Sequence, residues 1–361
     1  MFLRFRFVRA IYVFCIVVLA VALVQPASAG SAPEPSGEDA PNVSAKASQC
    51  ANFAGLCAES VSPHNLESSY LRTWQLVKDN TMYPERLQSW NSWRHKYDGK
   101  LLLERDLERA VVQMLCQLGD QYTYFRGVSE TQTRSVGDEE HDVVSWRMLD
   151  QSYGYISIRT FSSRHVALEL QNALQQLHEA RSYIIDLRDN KGGYVDQALQ
   201  CFSTLVESGK FVSLRGRQDG LAYDEDIVVE SSNIVRVVNG VATREPRAMN
   251  MTAAKPLVVL VNDGTRSASE MLAGALRDVR RARLIGSKTF GKGVVQGTWS
   301  LDSGCSIKIA MAHFILPGGA RINGRGIQPD ILAEFATDGL SGSYADNFLT
   351  DLTFGKPQVL P

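Results

Sequence analysis

The stretch LVVLVNDGTRSASEMLAGALRDVRRARLIG, Leu257–Gly286, holds three elements in succession. Leu257–Val261 is apolar at every position and reads as a strand buried on both faces. Asn262-Asp263-Gly264 is a turn, since Asn and Asp close local hydrogen bonds and Gly accepts the backbone angles left over. Ala268–Val279 reads as a helix, and Arg283–Ile285 returns to a strand. Strand, helix and strand in alternation imply an α/β layer with crossover connections. The pattern extends upstream: Tyr155–Ile158 reads as a strand, His165–His178 as a helix, Tyr183–Leu187 (YIIDL) as a strand, and a helix follows Tyr194. Lys210–Lys255 interrupts it with β-branched runs such as DIVVESSNIVRVVNG, read as a β-rich insertion or hairpin.

From Leu66 to Leu118 the period is helical. Tyr70, Trp74 and Val77 form one stripe; Leu107, Ala110, Val111, Met114, Cys116 and Leu118 form another. They suggest a small helical domain closing at Asp120–Phe125, its aromatics serving the core. Residues 1–29 read as a signal peptide: Arg4, Arg6 and Arg9, then apolar Ala10–Val24, then Ala27-Ser28-Ala29. An uncleaved anchor is the alternative, but fifteen apolar residues fall short of the ~20 that span a bilayer. Gly30–Ser48 is a Pro- and Ser-rich tether, and Glu130–Asp142 a polar loop or hinge.

With 44% hydrophobic and 21% charged residues the 361-residue chain is globular. Its net charge of −1 becomes −4 without residues 1–29, which excludes the basic surface of a nucleic-acid binder. Five cysteines follow residue 29. Cys50 and Cys57 are close enough to close a small loop in an exported chain, while Cys116 reads as a buried free thiol. C-x-x-C and H-E-x-x-H are both absent, so no metal site is expected.

Chemistry concentrates in two segments. Gly286–Lys292 fits G-x-x-x-x-G-K, but Gly293 replaces the hydroxyl residue of a phosphate-binding loop, and the β-branched run that follows reads as a strand. Ser267-x-x-Glu270 is a capping box, which helices use for stability alone. A serine at a strand-to-helix turn is equally where a hydrolase exposes a nucleophile, with free helix N–H groups for an oxyanion. Such a serine needs a base. No histidine lies in a triad context, and G-x-S-x-G and S-x-x-K are absent. Lys292 remains, leaving the strand next to the one that leads to Ser267. A lysine amine in water titrates at ~10.4 and becomes a base at neutral pH when burial lowers that by up to ~3–5 units. Phe290 and Val294 are candidate walls, and Gln296 can orient the amine.

The stretch VNDGTRSASEMLAGALRD…TFGKGVVQ resembles the C-terminal processing, or tail-specific, serine protease family. The resemblance extends to G-Y-I at Gly154–Ile156 with Phe161, to DLRDNKGG at Asp186–Gly193, to Asp278, to Leu316-Pro317 with G-I-Q-P-D at Gly326–Asp330, and to Asp120–Thr123. It covers about Leu66–Ile331. It implies a crotonase-like (Clp/crotonase-type) α/β catalytic core at 151–335, preceded by the helical domain at 61–128 and followed by a tail at 336–361. It implies Ser267 as nucleophile, preferred over Ser269 because it stands 25 residues before the lysine, with Lys292 as base and Gln296 as its orienting partner. The oxyanion hole would come from Ala268 and the pair Gly192-Gly193; an ordinary turn is the other reading of that pair. Asp186 and Arg188 read as structural. No cofactor is implied.

Most members of that family carry a PDZ domain of about ninety residues before the G-Y-I strand; here 27 residues separate Phe125 from Tyr153. PDZ modules capture a chain terminus by strand addition. Specificity then falls to the helical domain, to Lys210–Lys255, or to an activating or adaptor protein. The expectation is an exported, periplasmic or secreted, serine endopeptidase acting on protein or peptide substrates, without a lasting membrane span. A catalytically silent scaffold on the same fold is the alternative, and an acyl-CoA enzyme is disfavoured by export.

Overall fold

Four consecutive crossovers place five strands in parallel. In the order β13 (Ile331–Leu332), β10 (Arg283–Gly286), β9 (Leu257–Val261), β4 (Ser182–Asp186) and β3 (Tyr153–Ile158) they form one sheet, closed at its edge by antiparallel β2 (Val144–Leu149). The computed structural model describes residues 63–127, 143–149, 152–302 and 304–333, all within one of the chain's two units, 42–361. The leader, the tether, Cys50, Cys57, Glu130–Asp142 and the 336–361 tail lie outside the described residues. β4 and β9 are the middle strands and are buried at all five positions, which is why their sequences are apolar without alternation.

Helices α3 (Val166–Gln176), α4 (Val195–Leu205) and α5 (Ala268–Asp278) pack in one apolar cluster with the parallel strands. α5 is buried continuously from Ala268 to Leu276, and its small residues let neighbours approach: a methyl group on Gly274 would meet Leu316 Cδ1 at 2.6 Å.

Lys210–Lys255 is no detached insertion. Its residues form the antiparallel strands β5 (Gly209–Gln218), β6 (Leu221–Val229), β7 (Asn233–Val238) and β8 (Val241–Pro246), and β5 pairs with β12 (Ser306–Ile315). β1 (Tyr124–Arg126) and β11 (Val294–Ser300) also pair with β12, giving a seven-stranded second sheet. Phe211, Leu214, Ile227 and Phe314 of this sheet enter the cluster around α3–α5, so the segment is part of the main core.

Helices α1 (Pro63–Asn80) and α2 (Glu104–Cys116) flank two short 3-10 turns, Pro84–Leu87 and Trp90–Trp93. Tyr70, Trp74, Leu107 and Met114 form a cluster that takes in Ile307 and Ile309 of β12. The helical segment thus shares its core with the second sheet. Cys116 departs from expectation. It is half-buried and disulfide-bonded, and because neither Cys201 nor Cys305 is in a disulfide its partner lies outside the described residues. Two residues past Met114 is about 200° around a helix, so Cys116 faces away from the stripe it was read into. Among the described residues, Cys201 and Cys305 are buried and outside any disulfide.

Candidate active site

Three loops leave the carboxyl ends of the neighbouring strands β4, β9 and β10, the end at which open α/β sheets bind ligands. After β4 comes Gly192-Gly193, after β9 Ser267, and after β10 Lys292. The loops are tied to one another through backbone and buried polar groups. Arg266 N–H donates to the Asn190 carbonyl at 3.0 Å, and Phe290 N–H to the Thr265 carbonyl at 3.1 Å.

Ser267 sits at φ 61°, ψ −123° at the N-terminus of α5. An ordinary capping residue has extended backbone angles. This one occupies a region that L-residues enter only when the surroundings hold them there, the strained turn typical of an exposed nucleophile. The capping reading holds for the backbone: Ser267 N–H donates to Glu270 Oε2 at 2.9 Å, with no cap hydrogen bond from the serine side chain. Ser269 is fully buried, and its hydroxyl donates to Asn190 Oδ1 at 2.7 Å. Of the two serines only Ser267 stands at the turn.

Gly192 lies against it, and Gly193 against the Phe161 backbone. A methyl group on Gly192 (φ 83°) would reach Ser267 Cβ at 2.9 Å and the Ala268 nitrogen at 3.0 Å; one on Gly193 would meet the Phe161 backbone at 2.1 Å. Glycine is therefore required at both positions. Their N–H groups differ. Gly192 N–H donates to Asn190 Oδ1 at 2.9 Å. Gly193 pairs with Phe161 as an isolated parallel bridge, whose hydrogen bonds run through Gly192 and Tyr194 and leave the Gly193 N–H pointing away. Ala268, the first residue of α5, has no intrahelical acceptor for its own N–H. Among the described residues, the N–H groups of Ala268, next to the serine, and of Gly193, next to Gly192, thus meet no acceptor.

Lys292 Nζ donates to Gln296 Oε1 at 2.6 Å, and Gln296 Nε2 donates to the Tyr122 carbonyl at 2.6 Å. The Asp120–Thr123 turn holds that carbonyl. Buried Asp120 accepts from Tyr122 N–H at 3.0 Å and from Thr123 Oγ1 at 2.5 Å, and Thr123 accepts from Ala310 N–H of β12. Burial pushes the Asp120 carboxyl up, with the Thr123 and Tyr122 bonds pulling it back. Of the two expected walls, Val294 is buried with Met82 and Ala310, Tyr122 packing against them. Phe290 is not a wall: the chain turns at Gly291 (φ 90°) and leaves Phe290 48% exposed. The Tyr122 ring, 5.6 Å from Nζ, lines the amine instead. Gly293 leads into strand β11, so Gly286–Lys292 lacks the helix of a phosphate loop.

Two residues to which local reading gives no part in the chemistry bind these parts together. Glu270, fully buried, accepts four donors: Ser267 N–H and Lys292 N–H on Oε2, both at 2.9 Å, and Gly291 N–H at 2.8 Å and Thr289 Oγ1 at 2.5 Å on Oε1. One oxygen holds the backbones of Ser267 and Lys292 at once. Burial raises the Glu270 carboxyl and the four hydrogen bonds oppose that. Asn190, also fully buried, donates to the Ile158 carbonyl at 2.8 Å while accepting from Gly192 and Ser269. Asn190→Ala leaves those groups bare and is expected to cost about 2–4 kcal/mol, measured by denaturant unfolding; a loss under ~0.5 kcal/mol would mean the loop holds without it. Asp186 and Arg188 have a structural place. Arg188 Nη2 donates to Asp186 Oδ2 at 2.6 Å, and Tyr155 Oη donates to the same oxygen at 2.6 Å. Asp278 accepts from Gly318 N–H at 2.9 Å and fixes the loop after β12.

The family described as Peptidase family S41 matches the chain over residues 152–333, which contain all three loops. The chain belongs to peptidase family S41. Among its S41 relatives, the carboxy-terminal-processing protease of Bartonella bacilliformis is 31% identical over 256 residues, 66% of this chain and 53% of that protein. The carboxyl-terminal-processing protease of Synechocystis sp. is 40% identical over 188 residues, 51% of this chain and 38% of that protein. The chain therefore spans about half, or less, of the length of these relatives. A solved structure of a photosystem II D1 C-terminal processing protease shares the mixed α/β fold, with a TM-score of 0.59 and 20% identity over 74% of this chain and 93% of that one.

Proposed function

We propose that this S41 chain is an exported serine endopeptidase working through a Ser267/Lys292 dyad. The observation that carries the reading is the strained Ser267 turn, with the free N–H of Ala268 beside it, Gly192 packed against it, and Lys292 joined to it through Glu270. Ser267 Oγ attacks the peptide carbonyl carbon while unprotonated Lys292 Nζ takes the hydroxyl proton. The carbonyl oxygen, now carrying charge, accepts from Ala268 and Gly193 N–H. Collapse breaks the C–N bond, Lys292 returns the proton to the leaving amine, and an acyl-Ser267 ester remains. Water, deprotonated by Lys292, hydrolyses that ester. Gln296 holds the amine in line throughout.

The finer architecture is proposed with it: a crotonase-like core at 151–335, a helical domain at 61–128, and a 129–150 linker where relatives of the resembled type carry a PDZ module. Export is supported by the basic-then-apolar leader and by the disulfide at Cys116, a bond that persists in oxidising compartments. No described helix is long and apolar enough to cross a membrane.

The test uses the full chain with an unfolded protein substrate and mass spectrometry of the fragments. Cleavage is expected, together with modification of the Ser267 peptide by a fluorophosphonate that stops it. A chain that neither cleaves nor labels would hand the fold to the scaffold reading.

A further inference from the structure

We propose that Arg266, stacked on Phe290, forms a carboxylate-binding subsite beside Ser267, selecting substrates that present a carboxylate next to the scissile bond. The inference rests on the endopeptidase reading for its meaning, though not for its test.

The position follows from the chain. Arg266 immediately precedes Ser267, with its N–H held by Asn190, and Phe290 stands two residues before Lys292, with its N–H held by Thr265. The pair spans the loops of the nucleophile and the base. The guanidinium carbon lies 4.5 Å from the Phe290 ring centroid, and that ring is half exposed. An aromatic face beneath a guanidinium fixes its plane and leaves its edge for a ligand.

Among the described residues Arg266 has no ion-pair partner, whereas several other arginines do. Arg188 pairs with Asp186, Arg236 with Asp196 and Glu225, Arg215 with Asp226, and Arg277 with Asp278. Arg266 makes one long bond, Nε to the Gly264 carbonyl at 3.5 Å, and among the described residues its terminal nitrogens meet no acceptor. Nearby acids are otherwise engaged or out of reach. Glu270 has both oxygens filled by four donors, and Asp189 accepts from Asn262 Nδ2 at 3.0 Å. Asp263, exposed three residues away, forms no ion pair with it.

The charge also bears on the tyrosine beside the proposed base. Burial raises the Tyr122 hydroxyl, Asp120 and Glu270 raise it further, and Arg266 draws it back. Lys292 Nζ lies over that same ring. A half-buried arginine fork with no ion-pair partner among the described residues, within electrostatic reach of the Tyr122 hydroxyl beside the proposed base, is suited to a carboxylate held by two parallel N–H···O bonds. The carboxylate is either a substrate's own C-terminus or an Asp or Glu side chain.

Binding is measured on the full chain carrying Ser267→Ala, so that catalysis plays no part. The probes are a fluorescein-labelled decapeptide of Ala, Ser and Leu with a free C-terminus, the same peptide amidated, and amidated peptides with one Glu at each position in turn. A charged peptide is expected to bind about ten- to hundredfold tighter than the neutral one. Adding Arg266→Gln should collapse that ratio to near one, and Arg266→Lys, which keeps the charge but not the fork, should leave part of it. A gain confined to the free terminus names the substrate's C-terminus; a gain at one Glu position names an acidic side chain. Equal binding of charged and neutral peptides, or a ratio surviving Arg266→Gln, overturns the subsite. A wild-type chain that cleaves nothing while the ratio holds removes the endopeptidase reading and keeps the subsite.

Discussion

Lys292→Ala is expected to lower kcat/KM for a peptide substrate on the order of 10⁴-fold, and Ser267→Ala by as much, with the double variant no worse than either. Non-additivity is the informative part, since two groups that act in one proton transfer fail together. The variant should fold. Alanine gives up the Nζ bond to Gln296 but keeps the Lys292 N–H bond to Glu270, a backbone contact. Lys292→Arg should not rescue, because a guanidinium holds its proton and cannot serve as base. Gln296→Ala should cost less, roughly 10–100-fold, since it removes orientation and leaves the base in place. Its effect should fall on kcat, because Gln296 contacts Lys292 and the Tyr122 carbonyl. Steady-state kinetics on these variants decide this. Wild-type activity in Lys292→Ala would end the dyad mechanism.

The parallel sheet is legible in the sequence because β4 and β9 are buried on both faces, and burial writes itself as unbroken apolar runs. The order of loops around the site follows, since each strand delivers its loop to the same end. The second sheet is not legible in the same way. Period-two patterning marks a strand without naming its neighbour, and β12 pairs with β1, β5 and β11, of which β1 and β5 lie far back in the chain. Lys210–Lys255 consequently looks like an insertion until Phe314 and Leu214 are seen in one core. Cys116 misleads for a related reason: a stripe read at helical spacing tolerates one misplaced member, although two residues past Met114 already turn it about 200° off the stripe.

Glu270 shows where motif reading reaches its limit. Ser267-x-x-Glu270 announces the bond to Ser267 N–H, three residues away. The other three donors stand 19 to 22 residues further on, in a loop that meets Glu270 only after β10 has docked on β9. The D-x-Y-T turn is similar. It reads as the end of a helical segment, yet its Tyr122 carbonyl is the far anchor of the lysine.

Glu270→Gln is expected to cut kcat about 10²-fold or more with little change in KM, although the residue touches no substrate atom in the proposed mechanism. A carboxylate offers two oxygens to four donors; an amide presents N–H to two of them, driving the Ser267 and Lys292 backbones or the Thr289–Gly291 turn apart. Displacement near ~1 Å is enough for a loss of that size. Glu270→Ala should in addition cost about 3–5 kcal/mol, by leaving buried donors unsatisfied. A merely structural role would lower stability and spare kcat in the folded fraction. Titration gives a second, signed readout. Burial raises the native Glu270 carboxyl above its ordinary value, so as pH falls through that raised value the native state takes up a proton the unfolded chain does not yet hold. The group's contribution to stability therefore grows as pH falls from neutrality and levels off below the ordinary glutamate range. The stability gap between wild type and Glu270→Gln should widen over that window in denaturant unfolding at a series of pH values. A gap that narrows instead would mean that the four hydrogen bonds outweigh burial and hold the native carboxyl below its ordinary value.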